Sequence, residues 1–307
     1  MSLPDRSFVE QKKVKECPRG HCVWIYRKSE AYVSRVLEYN QLHPETPIRI
    51  LFVCGGLIEV TRNGGHLPPM ETERLRWFRA RLPQGVEIHA CLETPQGETL
   101  AALEWSQQEA LAQEVAKAID TNPDIQGVHF DIEPYRPGAL PFYIYMKKYC
   151  AKSVGAAVSG ADAQLLGVLD FPVLMGYDLA SEPPHSPKAF GAAAARIYTE
   201  YARAASAAGT CYFVGVPFIS TWCEFEYRKN RKTNIVEHTP WRMEAYVREA
   251  LHVFEKEHFK SDPYYAGVGI WGFLEPSEPG VSPLRLEWGT YPHLIKEECW
   301  ALLPRFA

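Results

Sequence analysis

Short apolar, β-branched runs alternate with longer amphipathic runs along the whole of this chain. The first, HCVWIYR (21–27), precedes SEAYVSRVLEYNQLHP, whose apolar positions recur at helical spacing and whose Ser29 is placed to cap a helix. IRILFVCGG is followed by METERLRWFRARLP, and VEIHACLE by SQQEALAQEVAKAIDTNP, with Ser106 as the candidate cap. The fourth run lies in IQGVHFDIEPYRPG (125–138), ahead of the helix-like PFYIYMKKYCAKSVG. GAAVSG is a short fifth strand and FPVLMGYD a sixth. A long Ala-rich helix, AFGAAAARIYTEYARAASAAG, ends at Gly209. CYFVGVPF is the seventh strand. PWRMEAYVREALHVFEKEHF is the next helix, with Thr239 before Pro240 as its start signal, and YAGVGIWGF is the eighth strand. Strands alternating with helices predict a parallel α/β sheet, and eight of them predict closure into a (β/α)8 TIM barrel. No linker-like or low-complexity tract interrupts the alternation, so residues 1–307 read as one barrel domain, with 1–20 as an N-terminal extension.

The fourth strand carries the most informative pattern. A period of two sets Phe130 and Ile132 on one side and His129, Asp131 and Glu133 on the other. On a half-exposed strand those polar groups would simply meet water. In a barrel, one face of each strand packs on helices and the other points inward. His129, Asp131 and Glu133 then line the interior, with Glu133 at the C-terminal mouth, where barrel enzymes carry their chemistry. Desolvating three ionisable groups together is costly, so the arrangement calls for a purpose.

Composition narrows the field. With 46% hydrophobic and 23% charged residues, the chain has the balance of a globular protein with a large core. A net charge of −4 gives no global field to draw nucleic acid. No run approaches the roughly 20 apolar residues of a membrane span. The opening MSLPDRSFVEQKKVKECPRG has no apolar segment of signal-peptide type, which sets a cytoplasmic expectation while leaving export open. Eight cysteines are too sparse for a disulfide scaffold. Cys54, Cys91 and Cys211 lie in strand-like runs and read as free buried thiols. Cys17 and Cys22 are close enough for a disulfide or, with His21, a metal site, but no second ligand pair has the spacing of a zinc finger.

The same parity brings other residues to the mouth. The sixth strand ends in Tyr177 and Asp178. The eighth places Trp271 near the mouth, with Glu275 just beyond. The third gives His89, Cys91 and Glu93 on one face. Glu224 and Glu226 fall in STWCEFEYRKNRKTNIVEHTP, the longest irregular segment, after the seventh strand. Singly, a Tyr or Trp is commonly core and a loop Glu is commonly solvated. Their shared place at strand ends makes them candidates. An acidic, aromatic-lined mouth suits a sugar, because rings stack on sugar faces and carboxylates supply acid and base.

These residues carry a resemblance. QGVHFDIEP resembles the fourth-strand motif D-x-x-D-x-D-x-E of glycoside hydrolase family 18, the chitinase-like barrels. Asp131 and Glu133 match its last two acids, while Gln126 and His129 stand where it has Asp. DFPVLMGYDL is similar to the family's M-x-Y-D sixth strand, with Met175, Tyr177 and Asp178 in register, and GVGIWGF to its eighth. The resemblance spans about 125–273. It implies that Glu133 protonates the glycosidic oxygen and that an N-acetyl carbonyl of the substrate attacks the anomeric carbon. It further implies that Asp131 orients that acetamido group, Tyr177 donates a hydrogen bond to it, Asp178 supports the site, and Trp271 forms its floor. Met175, His129, Glu93 and Glu275 complete the expected substrate-binding set. Asp131 beside it is expected to raise the pKa of Glu133, and His129 is positioned to hydrogen-bond Asp131. The expected partner is an oligosaccharide or glycan containing N-acetylhexosamine.

Three other readings stay open. A conventional two-carboxylate glycosidase would pair Glu133 with Glu224, Glu275 or Glu93. A catalytically silent barrel would bind sugar without cleaving it, in keeping with the altered motif. A metal-dependent barrel would use His129, Asp131 and Glu133 with His89 and Glu93. No metal is expected, because Asp131 and Glu133 already have roles. No nucleotide cofactor is expected either, since no G-x-G-x-x-G follows a strand.

Overall fold

The computed structural model describes residues 17, 19–177, 179, 186–216, 218, 243–270 and 297–307, and the backbone of two small strand pairs, 228–229 with 236–237 and 285–286 with 289–290. Eight parallel strands close into a barrel. They are β1 (His21–Ile25), β2 (Ile48–Leu57), β3 (Glu87–Thr94), β4 (Gly127–Ile132), β5 (Ser153–Val158), β6 (Phe171–Leu174), β7 (Tyr212–Val216) and β8 (Tyr265–Ile270). Each pairs with its neighbours in chain order, and β1 closes on β8 through Cys22 beside Gly269 and Val23 beside Ile270. This is the predicted (β/α)8 barrel, with all eight strands where the apolar runs stand.

Helices cover the outside: α1 (Glu30–Leu42), α2 (Thr72–Arg79), α3 (Gly97–Ala102), α4 (Trp105–Thr121), α5 (Leu140–Tyr149), α6 (Ala163–Val168), α7 (Pro187–Ala207), α8 (Met243–Lys256) and α9 (Glu297–Trp300). Ser29 caps α1 as expected, its side chain accepting from the Tyr32 N–H. For α4 the cap is Glu104, not Ser106. Glu104 and Gln107 exchange side-chain and backbone hydrogen bonds in a capping box, which starts the helix two residues earlier. Gly209 follows the end of α7 with φ +65°, a left-handed position that glycine takes without strain. The Thr239–Pro240 start signal lies outside the described residues.

Two hydrophobic layers result from strand parity. Phe130 and Ile132 join the layer between strands and helices, and Phe130 meets the rings of Phe142 and Tyr143 on α5. The inward residues Cys22, Trp24, Ile50, Phe52, Cys91, Val173 and Phe213 fill the barrel. Cys22, the near neighbour of Cys17 in sequence, is not its partner. Cys17 forms a disulfide with Cys211, so Cys211 is not a free thiol, while Cys22, Cys54 and Cys91 are. Cys211 lies just before β7, so the bond ties the segment ahead of β1 across the closing seam of the barrel. Among the described residues, no helix is long and apolar enough to cross a membrane.

Candidate active site

The ends of β3 and β4 build one wall of the mouth. Cys91 lies beside His129 and Glu93 beside Asp131, so the inward residues of both strands fall in common layers. Hydrogen bonding continues past β4. The Glu133 N–H donates to the Thr94 carbonyl (3.0 Å), and the Gly97 N–H donates to the Glu133 carbonyl (3.2 Å). A Cβ at position 97 would come within 2.2 Å of the Pro134 oxygen, so only glycine lets the start of α3 lie against this turn. The Glu133–Pro134 peptide is cis.

The wall opens on a cleft of about 700 Å³ whose lining includes Glu93, Asp131, Glu133, Tyr135, Ser159 and Met175. Met175 follows β6 and donates its N–H to the Val158 carbonyl (2.8 Å). Leu57, at the end of β2, is 54% exposed and gives the rim an apolar contact. Tyr177 is half-buried, with its ring over Gly215 of β7, where a Cβ would sit 2.9 Å from Cε1.

Three carboxylates therefore share one wall, and their field is visible in their protonation. Burial pushes Asp131 up to about 7, with Glu133 and then Glu93 adding repulsion. Burial also raises Glu93, Glu133 adds to it, and Arg74 of α2 opposes it. The Arg74 guanidinium donates to the Cys54 carbonyl (2.9 Å), which fixes it behind β2. Oδ1 of Asp131 and Oε1 of Glu93 are buried without a hydrogen-bond partner.

His129 has a different place from the expected one. It is 0% exposed beneath the cleft and does not line it. Its ring stacks on Phe52, with centroids 3.8 Å apart and planes 21° apart, and meets Trp24 edge-on at 5.4 Å. Burial holds it neutral, His89 adds to that, and neither ring nitrogen has a hydrogen-bond partner. The expected hydrogen bond to Asp131 is therefore absent. His89 lies lower still, its Nε2 3.0 Å from Glu87. Among the described residues, no three His, Cys, Asp or Glu side chains are grouped to hold a metal ion.

Tyr26 packs against the inner cluster beneath the cleft without lining it, and no motif marked it. Its hydroxyl is held well above the usual tyrosine range by burial first, then by Cys91, Asp131, Glu93 and Tyr177. It thus stands among the groups of β3, β4 and the end of β6. Tyr26 has the inward parity of Cys22 and Trp24, one step past β1, and extending the alternation by that step finds it. Asp178, Trp271, Glu275, Glu224 and Glu226 lie outside the described residues. What is assembled can hold a proton near neutral pH and place negative charge beside it, which is the equipment of acid–base and cation-stabilising chemistry.

No family model matches this chain, and no curated protein matches it in sequence. Solved structures match it in fold. The spore cortex-lytic enzyme SleL of Bacillus megaterium QM B1551 superposes with TM-score 0.54 at 12% identity, over 95% of this chain and 75% of SleL. The C-terminal domain of a putative chitinase from Desulfitobacterium hafniense DCB-2 gives 0.50 at 13%, over 83% and 94%. A GH18 chitinase from Pseudoalteromonas aurantia gives 0.49 at 13%, over 82% and 93%. At such identities the likeness is one of fold alone, a closed barrel of eight parallel strands.

Proposed function

We propose that this chain is a glycoside hydrolase that cleaves a glycan containing N-acetylhexosamine, with Glu133 as general acid. The observation that carries the reading is the shared cleft. Asp131 and Glu133 stand at the end of β4 with Met175 from the end of β6, and Tyr177 follows on the same loop, in a barrel of chitinase-like fold. The open mouth, of about 700 Å³, accommodates sugar residues, and its lining combines carboxylates with apolar rim groups.

The reaction proceeds in two steps. Glu133 gives its proton to the glycosidic oxygen as the bond from that oxygen to the anomeric carbon breaks. The acetamido carbonyl oxygen of the same sugar closes on the anomeric carbon, so the positive charge moves to a cyclic intermediate next to Asp131. Asp131 accepts the acetamido N–H and stabilises that charge. Tyr177 donates to the acetamido oxygen. A water then attacks the anomeric carbon, the ring opens, and Glu133 takes back a proton. Glu93, on the strand next to β4, stands on the same wall as Glu133. A two-carboxylate mechanism needs its second group on the opposite side of the sugar.

Glu133→Gln keeps the shape of the side chain and removes its proton. Hydrolysis of aryl N-acetylglycosides should fall by roughly 10²–10⁴-fold with the melting curve preserved. Aryl glycosides lacking the N-acetyl group should not be cleaved by the wild type. Equal cleavage of both substrate classes would remove the assisted mechanism. Equal activity of wild type and variant would remove Glu133 as the acid, and sugar binding without hydrolysis in either protein would replace the enzyme with a silent binding barrel.

A further inference from the structure

We propose that Tyr135 and Arg136 form a subsite for a carboxylate-bearing sugar, so that the glycan taken by this cleft is an acidic one. The place of that subsite in a reaction rests on the glycosidase reading; the binding it implies does not. Both residues line the cleft, two and three positions beyond Glu133. Among the described residues, Arg136 is the only cation that lines it, in company with Glu93, Asp131 and Glu133. A neutral glycan makes no demand for a fixed cation. An anionic one meets repulsion from this acidic wall unless a cation offsets it.

The loop that carries the two residues is held in place. Pro137 confines Arg136 to the extended backbone it has, with φ −132° and ψ 145°. The Ala139 N–H closes a turn on the Arg136 carbonyl (2.9 Å), and Gln108 of α4 donates to the Gly138 carbonyl (3.0 Å). The Tyr135 hydroxyl donates to Oδ2 of Asp162 (3.2 Å), the residue that caps α6. The Tyr135 ring also meets Tyr143 edge-on, with centroids 6.2 Å apart. A half-buried ring fixed at its hydroxyl is a platform on which a sugar can stack, and the guanidinium next to it has the planar fork that pairs with a carboxylate.

The guanidinium already holds a carboxylate. Its Nη2 donates to Oε1 of Glu98 in the first turn of α3 (2.7 Å), and its Nη1 donates to the Tyr135 carbonyl (3.3 Å). Both side chains of the ion pair are well exposed, 50% for Arg136 and 68% for Glu98, and a pair so open to water exchanges partners at little cost. Arg136 lines the cleft and Glu98 does not. A sugar carboxylate arriving through the cleft therefore takes the place of the Glu98 carboxylate, which turns out to water, and no covalent bond changes. The wall admits an anion more readily than three full charges would, because burial first, and Glu133 in addition, favour the protonated forms of Glu93 and Asp131.

Calorimetric binding to the full chain tests the subsite, with Glu133→Gln present throughout to prevent turnover. Two acidic probes separate the sources of the carboxylate. A tetrasaccharide alternating N-acetylglucosamine with glucuronic acid carries it on the ring, and N-acetylglucosaminyl-N-acetylmuramic acid carries it on an ether arm. Each is paired with its carboxyl-reduced form. In at least one pair the acid should bind roughly 5–30-fold tighter than its neutral form, the range for a charge-assisted hydrogen bond at a half-exposed site, and added salt should shrink the difference. Arg136→Gln should abolish the preference and leave binding of the neutral form unchanged, while Arg136→Lys should keep part of it. Glu98→Gln should tighten binding of the acid alone, because the competing carboxylate is gone. Melting curves verify that each variant is folded. Equal affinity for acid and neutral forms in both pairs, a preference that survives Arg136→Gln, or binding of none of the probes overturns the proposal. Absence of hydrolysis by the chain with Glu133 intact would sink the glycosidase reading, while the paired affinities still decide the acidic subsite.

Discussion

Replacing Asp131 by Asn should make the protein more stable, and only above acidic pH. The folded chain holds the Asp131 carboxyl at about 7 against an ordinary value of 3.8, because burial and then Glu133 and Glu93 disfavour its charge. Below 3.8 both folded and unfolded chains are protonated there, and no cost arises. Between 3.8 and about 7 the folded chain keeps a proton that the unfolded chain has released, so stability falls as pH rises. Above about 7 the cost is constant. At about 1.4 kcal/mol per pH unit, that interval corresponds to about 4 kcal/mol. Water reaching the second carboxylate oxygen reduces it, so about 2–4 kcal/mol is expected at pH 8. With an unfolding entropy of about 0.6 kcal/mol/K for a chain of this length, the gain in Tm is about 3–6 °C. Asn keeps the shape of the side chain and has no charge to bury. Scanning calorimetry of wild type and Asp131→Asn at pH 4, 6 and 8 should show a difference that is near zero at the first and opens through the second. A difference of the same size at all three pH values would falsify the claim that Asp131 is a desolvated carboxyl.

Other tests address the frame of the site. Cys211→Ser opens a crosslink that spans a sequence separation of 194 residues, which chain-entropy reasoning values at up to about 5 kcal/mol. A urea midpoint unchanged by the substitution, or by reductant in the wild type, would show that the bond does not constrain the unfolded chain. Gly97→Ala drives a Cβ to 2.2 Å from the Pro134 oxygen and should displace the turn that carries Glu133, costing roughly 1–3 kcal/mol and most of the hydrolytic activity. Full activity and unchanged stability in this variant would mean that α3 does not hold Glu133 in place.

The barrel was legible because parallel strands are buried on both faces, and their dense Val, Ile and Phe runs stand out against amphipathic helices. The wall of the site was legible for a related reason: HFDIE breaks that apolar rule on one face of one strand. Other features left weaker traces. The six residues of α6 are too few to display a helical period, although Asp162 caps them by accepting from the Gln164 and Leu165 N–H groups. The hairpin of Glu59–Thr61 and Gly64–His66, between β2 and α2, has strands of three residues, and its signal is the Asn63–Gly64 pair at the turn. The partnership of Cys17 with Cys211 is set by barrel closure, which brings distant segments together, and proximity along the chain pointed instead to Cys22. For His129, parity gave the correct face but not the depth. Whether an inward polar group meets ligand or aromatic packing depends on its layer, and it lies one layer below Asp131, against Phe52 and Trp24.

That aromatic layer acts as an electrical and protonic insulator. Moving a proton through a protein requires successive groups that can hand it on by hydrogen bonds. Beneath Asp131 the described residues offer instead a neutral imidazole with no bonded nitrogen, packed against Phe52 and Trp24, and thiols that keep their protons. Asp131 and Glu93 exchange protons with solvent through the cleft. A molecule seated in that cleft therefore lies on the side from which these carboxyls exchange protons.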